Sequence, residues 1–523
     1  MTTVTLTLVS HTNAGKTTLA RTMLGRDIGE VRDAPHVTEF AEEHLLVESP
    51  EGHRLMLWDT PGFGDSVRLA RRMRQSASPL GWLLSQVWDR WRDRAIWMSQ
   101  QALRHVKDGS DVLLYLVNAS EPQAGYLQSE MQLLAWAGKP VLVLLNQLGP
   151  PREANLEQEE IERWRERLAP WPHVREVLTL DAFARCWVQE AVLLQAVEQA
   201  LAGEPSRAEA MRALRAAWTM RREAVFEQSV EELAESLGRL ASLRVPLDEA
   251  AGLAGRLREW GGRLVRPAAD DPTAAAERRL GERLAEEVRA STRRLLALHC
   301  LAGDDGAGGG ASEKEGGAGP STGTAAGRGE VALTRILERV ARQVEAHHRV
   351  PEARAAVLGG ALTGALAGLK ADIATGGLTL GGGLLAGGIL GALGAAGLAR
   401  GINLVRGTGQ SWVGFGAAAM QSLAEVALLR YLAVAHYGRG RGDWAEGEAP
   451  PHWPEAVSAA CAGRREDLER LWKRAGERAG QPDEGMGLAA ALKPVLDAVL
   501  REILARLHPQ AAGARWGSDN PRA

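Results

Sequence analysis

The stretch VTLTLVSHTNAGKTTLARTML, Val4 to Leu24, sets the reading of everything around it. Val4–Val9 is a short apolar run with β-branched residues, which predicts a buried strand. Leu19–Leu24 predicts a helix. Between them, Ser10-His11-Thr12-Asn13-Ala14-Gly15-Lys16-Thr17-Thr18 has the spacing of a phosphate-binding P-loop, with Ser10 in the place of the first glycine. A tight turn at a helix N-terminus aims backbone N–H groups and the positive end of the helix dipole at an anion. In that arrangement Lys16 meets the β- and γ-phosphates and the Thr17 hydroxyl coordinates Mg²⁺. The nucleotide-binding residues expected here are Asn13, Ala14, Gly15, Lys16, Thr17 and Thr18.

Downstream, Leu55–Trp58 reads as a second strand and ends in Asp59-Thr60-Pro61-Gly62. Asp59 is expected to hold Mg²⁺ through water, and the Gly62 N–H to sense a γ-phosphate. Thr38, in Asp33-Ala34-Pro35-His36-Val37-Thr38, is a candidate third contributor to the metal, unless it is an ordinary loop threonine. Lys16, Thr38 and Gly62 are thus the candidate catalytic groups, and Thr17, Thr38 and Asp59 the candidate metal ligands.

Three further runs, Val112–Val117, Val141–Leu145 and Val177–Leu180, alternate with helical stretches. Short continuous apolar strands separated by helices predict a wound α/β domain with a mostly parallel sheet over residues 1–202. Beyond it, strand signals give way to charged-apolar helical periodicity over 203–302. Residues 303–329 are almost free of large apolar side chains and read as a flexible linker. A helix and a glycine-rich apolar hairpin are expected over 330–410, and helices with a polar tail over 411–523. The C-terminal region is therefore expected to be all-α.

On these residues the N-terminal domain resembles the Era/TrmE-type branch of the translation-factor-class GTPases. The whole chain resembles a bacterial family of such GTPases that carry a C-terminal domain of unknown function 3482. The residues that carry this second resemblance are His11–Thr17, Leu144-Leu145-Asn146 and the later run Ala427–Gly442 (ALLRYLAVAHYGRGRG). The resemblance implies GTP and GDP as ligands and Asn146 beside the base.

The pattern departs from such GTPases at two points. Their base-reading motif is Asn-Lys-x-Asp, whereas this chain has Asn146-Gln147-Leu148-Gly149. The absent aspartate would accept two hydrogen bonds from guanine, so its loss leaves the choice between GTP and ATP open. Asp181 follows the last strand and is either a replacement for it or a structural loop residue. The residue after Gly62 is Phe63, which cannot orient water as a glutamine does, so slow hydrolysis is expected. Several Era-like enzymes use a potassium ion held partly by the P-loop asparagine that Asn13 matches. That resemblance implies K⁺ beside Mg²⁺; otherwise Asn13 only braces the loop.

Two more features call for a partner. Trp82, Trp88, Trp91 and Trp97 lie at mostly helical spacing after Gly62, and are either an effector or membrane surface or a packed helix face. Residues 373–399 are 27 in a row without a charge, about 40 Å of helix. Gly360, Gly364 and Gly368, and again Gly383, Gly387 and Gly391, fall four apart and would form side-chain-free stripes on helices. Each helical glycine costs about 1 kcal/mol relative to alanine, so close packing or a bilayer must compensate. Membrane contact through residues 355–399 is expected, with a soluble glycine-alanine hairpin or a disordered segment as the alternatives.

The remaining composition narrows the classes. A net charge of −3, with no clustered basic patch interleaved with aromatics, argues against a specific nucleic-acid partner. Only seven of the 62 basic residues are Lys, an excess of Arg that reads as base composition alongside 59 Gly. Cys186, Cys300 and Cys461 form no CxxC pair, which fits a reducing compartment. The N-terminus lacks a basic region followed by a long apolar run. The expected setting is the cytoplasm, with peripheral or hairpin contact at the inner membrane.

Overall fold

Buried on both faces, the runs around Val112 and Val141 can only be interior strands of a parallel sheet, and the structure builds one around them. It is a computed structural model describing residues 1–11, 14–25, 42–63, 65–75, 78, 94–149, 151–246, 272–301, 398–402, 411–437, 450, 452–477 and 484–513. Asn13, Thr38, Trp82, Trp88, Trp91, the linker 303–329 and residues 355–397 of the glycine-rich stretch lie outside the described residues. The chain divides into two units, Met1–Val225 with Ala435–Gly447 and Leu504–Ala523, and Phe226–Val434 with Glu448–Ile503.

In the first unit, β1 (Thr3–Ser10), α1 (Lys16–Leu24), β2 (Glu42–Glu48), β3 (Arg54–Asp59), α2 (Ser66–Met73) and α3 (Arg94–Gly109) come first. β4 (Val112–Asn118), α4 (Leu127–Ala137), β5 (Val141–Asn146), α5 (Ala154–Leu168), β6 (Val174–Thr179) and α6 (Trp187–Ala200) follow. The strands form one sheet in the order β2-β3-β1-β4-β5-β6. All neighbours run parallel except β2, which pairs antiparallel with β3 at the edge. The five expected apolar runs correspond to β1, β3, β4, β5 and β6. The sixth strand, EEHLLVE, is half exposed and carries three glutamates, as an edge strand protected by charge does.

Side chains alternate across the sheet. Leu113, Tyr115 and Val117 of β4 join Phe63, Met131, Ile161 and Trp164 in one buried apolar layer. Leu114 and Leu116, also fully covered, point to the opposite face.

The long helix α7 (Pro205–Ser242) runs from the first unit into the second. The second unit holds β7 (Arg244–Pro246), α8 (Pro272–Leu298), β8 (Leu398–Ile402), β9 (Ser411–Phe415), α9 (Ala417–Ala435), α10 (His452–Gly463), α11 (Arg465–Glu477) and α12 (Glu484–Leu507), except that Ala435 and the end of α12 from Leu504 belong to the first. It is mostly helical, as expected, with one addition. β7, β9 and β8 form a small antiparallel sheet, and β8 takes the last two residues of the uncharged stretch, Leu398 and Ala399. Strands of three to five residues are too short to leave a periodic signal. The side chains of the run Ala427–Ala435 are all buried, apolar all round except at Arg430. Arg430 Nη2 donates to Ser291 Oγ at 3.0 Å, and burial pushes its guanidinium down to about 10. Among the described residues, no helix is long and apolar enough to cross a membrane.

Helices α7 and α12 meet at Gly238, where a Cβ would stand 2.6 Å from the Gly485 carbonyl oxygen. Backbone cannot yield there as a side-chain end can. Gly238→Ala should therefore destabilise the second unit by about 1–3 kcal/mol through overpacking, read as a lower denaturation midpoint of the full chain. An unchanged midpoint would contradict this contact.

Candidate functional site

The parallel register brings the carboxyl ends of several strands to one edge. Leu8 pairs with Asp59, Asn118 with Asn146 and Leu145 with Thr179, so β1, β3, β5 and the loop after β6 open side by side. This is the edge where open α/β sheets bind ligands. α1 starts there. Its N-cap, Gly15, has φ of 91° and brings no side chain over the first N–H groups of the helix.

Lys16 is nearly buried, and its Nζ donates to Ser10 Oγ at 2.9 Å. Burial draws its ammonium below the ordinary lysine range, against the opposing pull of Asp59 and Glu130. Ser10, in the place of the first P-loop glycine, thus serves as the resting partner of the lysine. Thr17 Oγ1 donates to Asp59 Oδ2 at 2.5 Å. Burial pushes the Asp59 carboxyl up to about 6, with Lys16 and the Thr17 hydroxyl pulling it down. Its other oxygen, Oδ1, is buried without a hydrogen-bond partner among the described residues. A hydroxyl and a carboxylate together, one oxygen unsatisfied, are the hard donors that a divalent cation such as Mg²⁺ takes. Residues and chemistry fit that ion.

The segment after β3 is fastened to the P-loop. Thr60 Oγ1 donates to Leu8 O at 2.6 Å, and the Phe63 N–H to Ser10 O at 2.9 Å. Gly62 is covered between them, and the Phe63 ring is fully buried in the apolar layer.

On the far side Asn146 is fully buried. Its Nδ2 donates to Ala14 O at 2.8 Å and its Oδ1 accepts the Ala182 N–H at 2.9 Å. Asp181 is nearly buried, one oxygen accepting the Leu148 N–H at 2.7 Å and the other the Phe183 N–H at 2.8 Å. Of the two readings of Asp181, this geometry gives the structural one, with both oxygens occupied by backbone. It folds the Gln147-Leu148-Gly149 turn, in which Gln147 and Gly149 both have positive φ, onto the loop after β6.

A family model described as "50S ribosome-binding GTPase" matches residues 5–147, and a domain of unknown function 3482 matches residues 352–486. The chain carries a GTPase domain followed by that C-terminal domain. Among solved structures, Era from Aquifex aeolicus bound to GDP and aluminium fluoride is 18% identical, with a TM-score of 0.27. It covers 35% of this chain and 52% of its own. An Era complex with MgGDPNP and a piece of 16S ribosomal RNA is 19% identical over the same shares, also with a TM-score of 0.27. A bacterial selenocysteine-specific elongation factor is 16% identical, with a TM-score of 0.23, covering 35% of this chain and 26% of that one. The chain thus spans about half the length of the Era chains it matches.

The GTPase domain holds its P-loop by a device the motif does not announce. His11 Nδ1 bonds Glu130 Oε1 at 2.8 Å, and its ring stacks on Tyr126 at 4.0 Å. The Tyr115 hydroxyl donates to Glu130 Oε2 at 2.6 Å, and burial followed by the carboxylate pushes that phenol well above its ordinary range. Glu130 lies on the apolar side of α4 between Leu127 and Leu134, and a carboxylate there was the available signal. The loop after β6 is also tied to α1. Thr22 Oγ1 donates to Ala182 O at 2.8 Å, and Arg185 bonds the Thr22 carbonyl while pairing with Glu190. Of the expected residues, the structure brings Ala14, Gly15, Lys16, Thr17, Thr18, Asp59, Gly62 and Asn146 to this edge, whereas Asn13 and Thr38 lie outside the described residues.

A Cβ on Gly15 would meet Asn146 Nδ2 at 2.8 Å, in a backbone conformation that side chains disfavour. Strain of about 1–3 kcal/mol predicts that Gly15→Ala weakens binding of a fluorescent GDP analogue roughly tenfold while the chain stays folded. Wild-type affinity in the folded variant would refute the geometry.

Proposed function

We propose that the protein is a GTP switch that hydrolyses GTP slowly to GDP and phosphate, and that its nucleotide state acts on a membrane-associated segment at residues 355–399. The observation that carries the hydrolytic part is the gathering of Lys16, Thr17 and Asp59 at the N-terminus of α1, with Phe63 sealed in the core beside them. The MgGDPNP bound in one Era structure and the unsatisfied Asp59 oxygen support Mg²⁺ as the ion. When bound, Mg²⁺ supplies positive charge to the β- and γ-phosphates.

The chain's own groups do the rest. On nucleotide binding, Lys16 exchanges Ser10 Oγ for phosphate oxygens, and the first N–H groups of α1 receive the remaining charge. Thr17 and Asp59 would hold the ion, the Thr17 hydroxyl as a direct ligand and the Asp59 carboxylate through water. The Gly62 N–H, on a segment tied to β1 through Thr60 and Phe63, answers to the γ-phosphate. Water attack at the γ-phosphorus breaks the bond to the β,γ-bridging oxygen and releases phosphate. With a buried phenylalanine after Gly62, no side chain at that position orients the water, so turnover is slow. Asn13 is the residue to which a K⁺ ion would belong, supplying charge where other GTPases use an arginine.

The membrane part rests on the sequence of residues 355–399 and its glycine stripes. One Era structure holds a piece of 16S ribosomal RNA; the net charge and second half of this chain give no basis for extending that partner to it.

The test is turnover of GTP and ATP by the full chain in potassium or sodium, with and without anionic liposomes. Slow GTP hydrolysis, stimulated several-fold by potassium, with nucleotide-dependent sedimentation on liposomes, is expected. Equal rates in both salts would remove the potassium ion from the mechanism. A chain that stays wholly in the supernatant with every nucleotide would remove the membrane.

A further inference from the structure

Away from the P-loop, three segments far apart in sequence converge inside the first unit. Cys186 is the N-cap of α6 and fully buried, its backbone N–H donating to Gln189 Oε1 at 2.9 Å. His436 directly follows α9 and is 2% exposed; His508 directly follows α12 and is 9% exposed. An antiparallel bridge between Ala184 and Tyr437 brings the first two segments together. The 3₁₀ turn after His508, Pro509–Gly513, packs on α6 and brings in the third.

The two imidazoles face each other, Nε2 to Nε2 at 2.9 Å, with ring planes 21° apart. One ligand atom from each of the three side chains lies within 4.8 Å of the others. A tetrahedral ion with bonds of about 2.0 Å to nitrogen and about 2.3 Å to sulfur holds its donors roughly 3.3–3.6 Å apart. The two imidazole nitrogens stand closer than that, at 2.9 Å, and no pair of ligand atoms is more than 4.8 Å apart, so side-chain adjustments of about an ångström would close the site. We propose that Cys186, His436 and His508 form a binding site for a zinc-class transition-metal ion, with water as the fourth ligand.

The donor chemistry sets this site apart from the P-loop edge. Two imidazoles and a thiolate suit zinc or cobalt, whereas a hydroxyl and a carboxylate suit magnesium. In the metal-free chain one imidazole donates to the other, and burial pushes the Cys186 thiol up to about 12. The ion would displace both protons, and metal affinity would in turn be folding energy for the segments it joins. Cys186 stands five residues beyond Asp181, on the loop that Asn146 ties to the P-loop. The ion would thus pin the C-terminal segments to the base-side wall of the GTPase domain.

Cobalt titration of the chelator-treated full chain, without nucleotide, tests the site directly, since a thiolate ligand gives a near-ultraviolet charge-transfer band. One equivalent of Co²⁺ should give the band, and Zn²⁺ should bleach it. Cys186→Ser should abolish it, His508→Ala should weaken Zn²⁺ binding at least about tenfold, and Cys300→Ser and Cys461→Ser should leave it unchanged. Absence of the band in the folded wild-type chain overturns the proposal, whatever the variants do. So does a band that survives Cys186→Ser or disappears with Cys300→Ser. GDP affinity measured on the same sample keeps this result separate from the GTPase reading.

Discussion

The side-chain amide of Asn146 is the joint on which the nucleotide edge depends. From the end of β5 it reaches the P-loop through Ala14 O and the loop after β6 through the Ala182 N–H. Buried amides that lose such partners cost about 1–3 kcal/mol each, so both loops are held at a distance the amide dictates. That distance explains Gly15, whose missing Cβ leaves room for Asn146 Nδ2. It also explains why Asp181 spends its carboxylate on backbone N–H groups: a wall built around a single amide needs its own turn secured.

The same edge shows how polar groups are kept inside an apolar sheet. Glu130 is fully buried yet bonded at both oxygens, by His11 and Tyr115, and so contributes rigidity where an unpaired carboxylate would destabilise. Asp59 differs, with one oxygen unsatisfied among the described residues and its carboxyl pushed up to about 6 by burial. An unsatisfied buried acid beside a buried lysine is a site prepared for a ligand, consistent with local rules giving way where function resides.

Much of this was legible in the residues. The P-loop, the Asp59 turn and five of six strands have strong local signals, because a buried parallel strand is an uninterrupted apolar run and a phosphate loop needs glycine and lysine at fixed spacing. β2 was not, since an edge strand with three glutamates reads as polar surface. The role of Asn146 was only half legible: its place after a strand pointed to the base, but its bonds run to backbone, which carries no sequence signature. Cys186, His436 and His508 were invisible as a group, because 250 and then 72 residues separate them in the chain. The run Ala427–Gly442 suggested kinship, and the physical content of its described part is the last nine residues of α9, Ala427–Ala435, all buried, with His436 directly after them.

The central claim is that Asn146 holds two loops in a nucleotide-binding arrangement. Titration of Asn146→Ala with fluorescent GDP and GTP analogues, alongside a thermal melt, tests it most directly. Loss of two buried hydrogen bonds, together about 2–6 kcal/mol, predicts affinities for both nucleotides lower by roughly thirtyfold or more in a chain that still melts cooperatively. Unchanged affinity for both would contradict the claim.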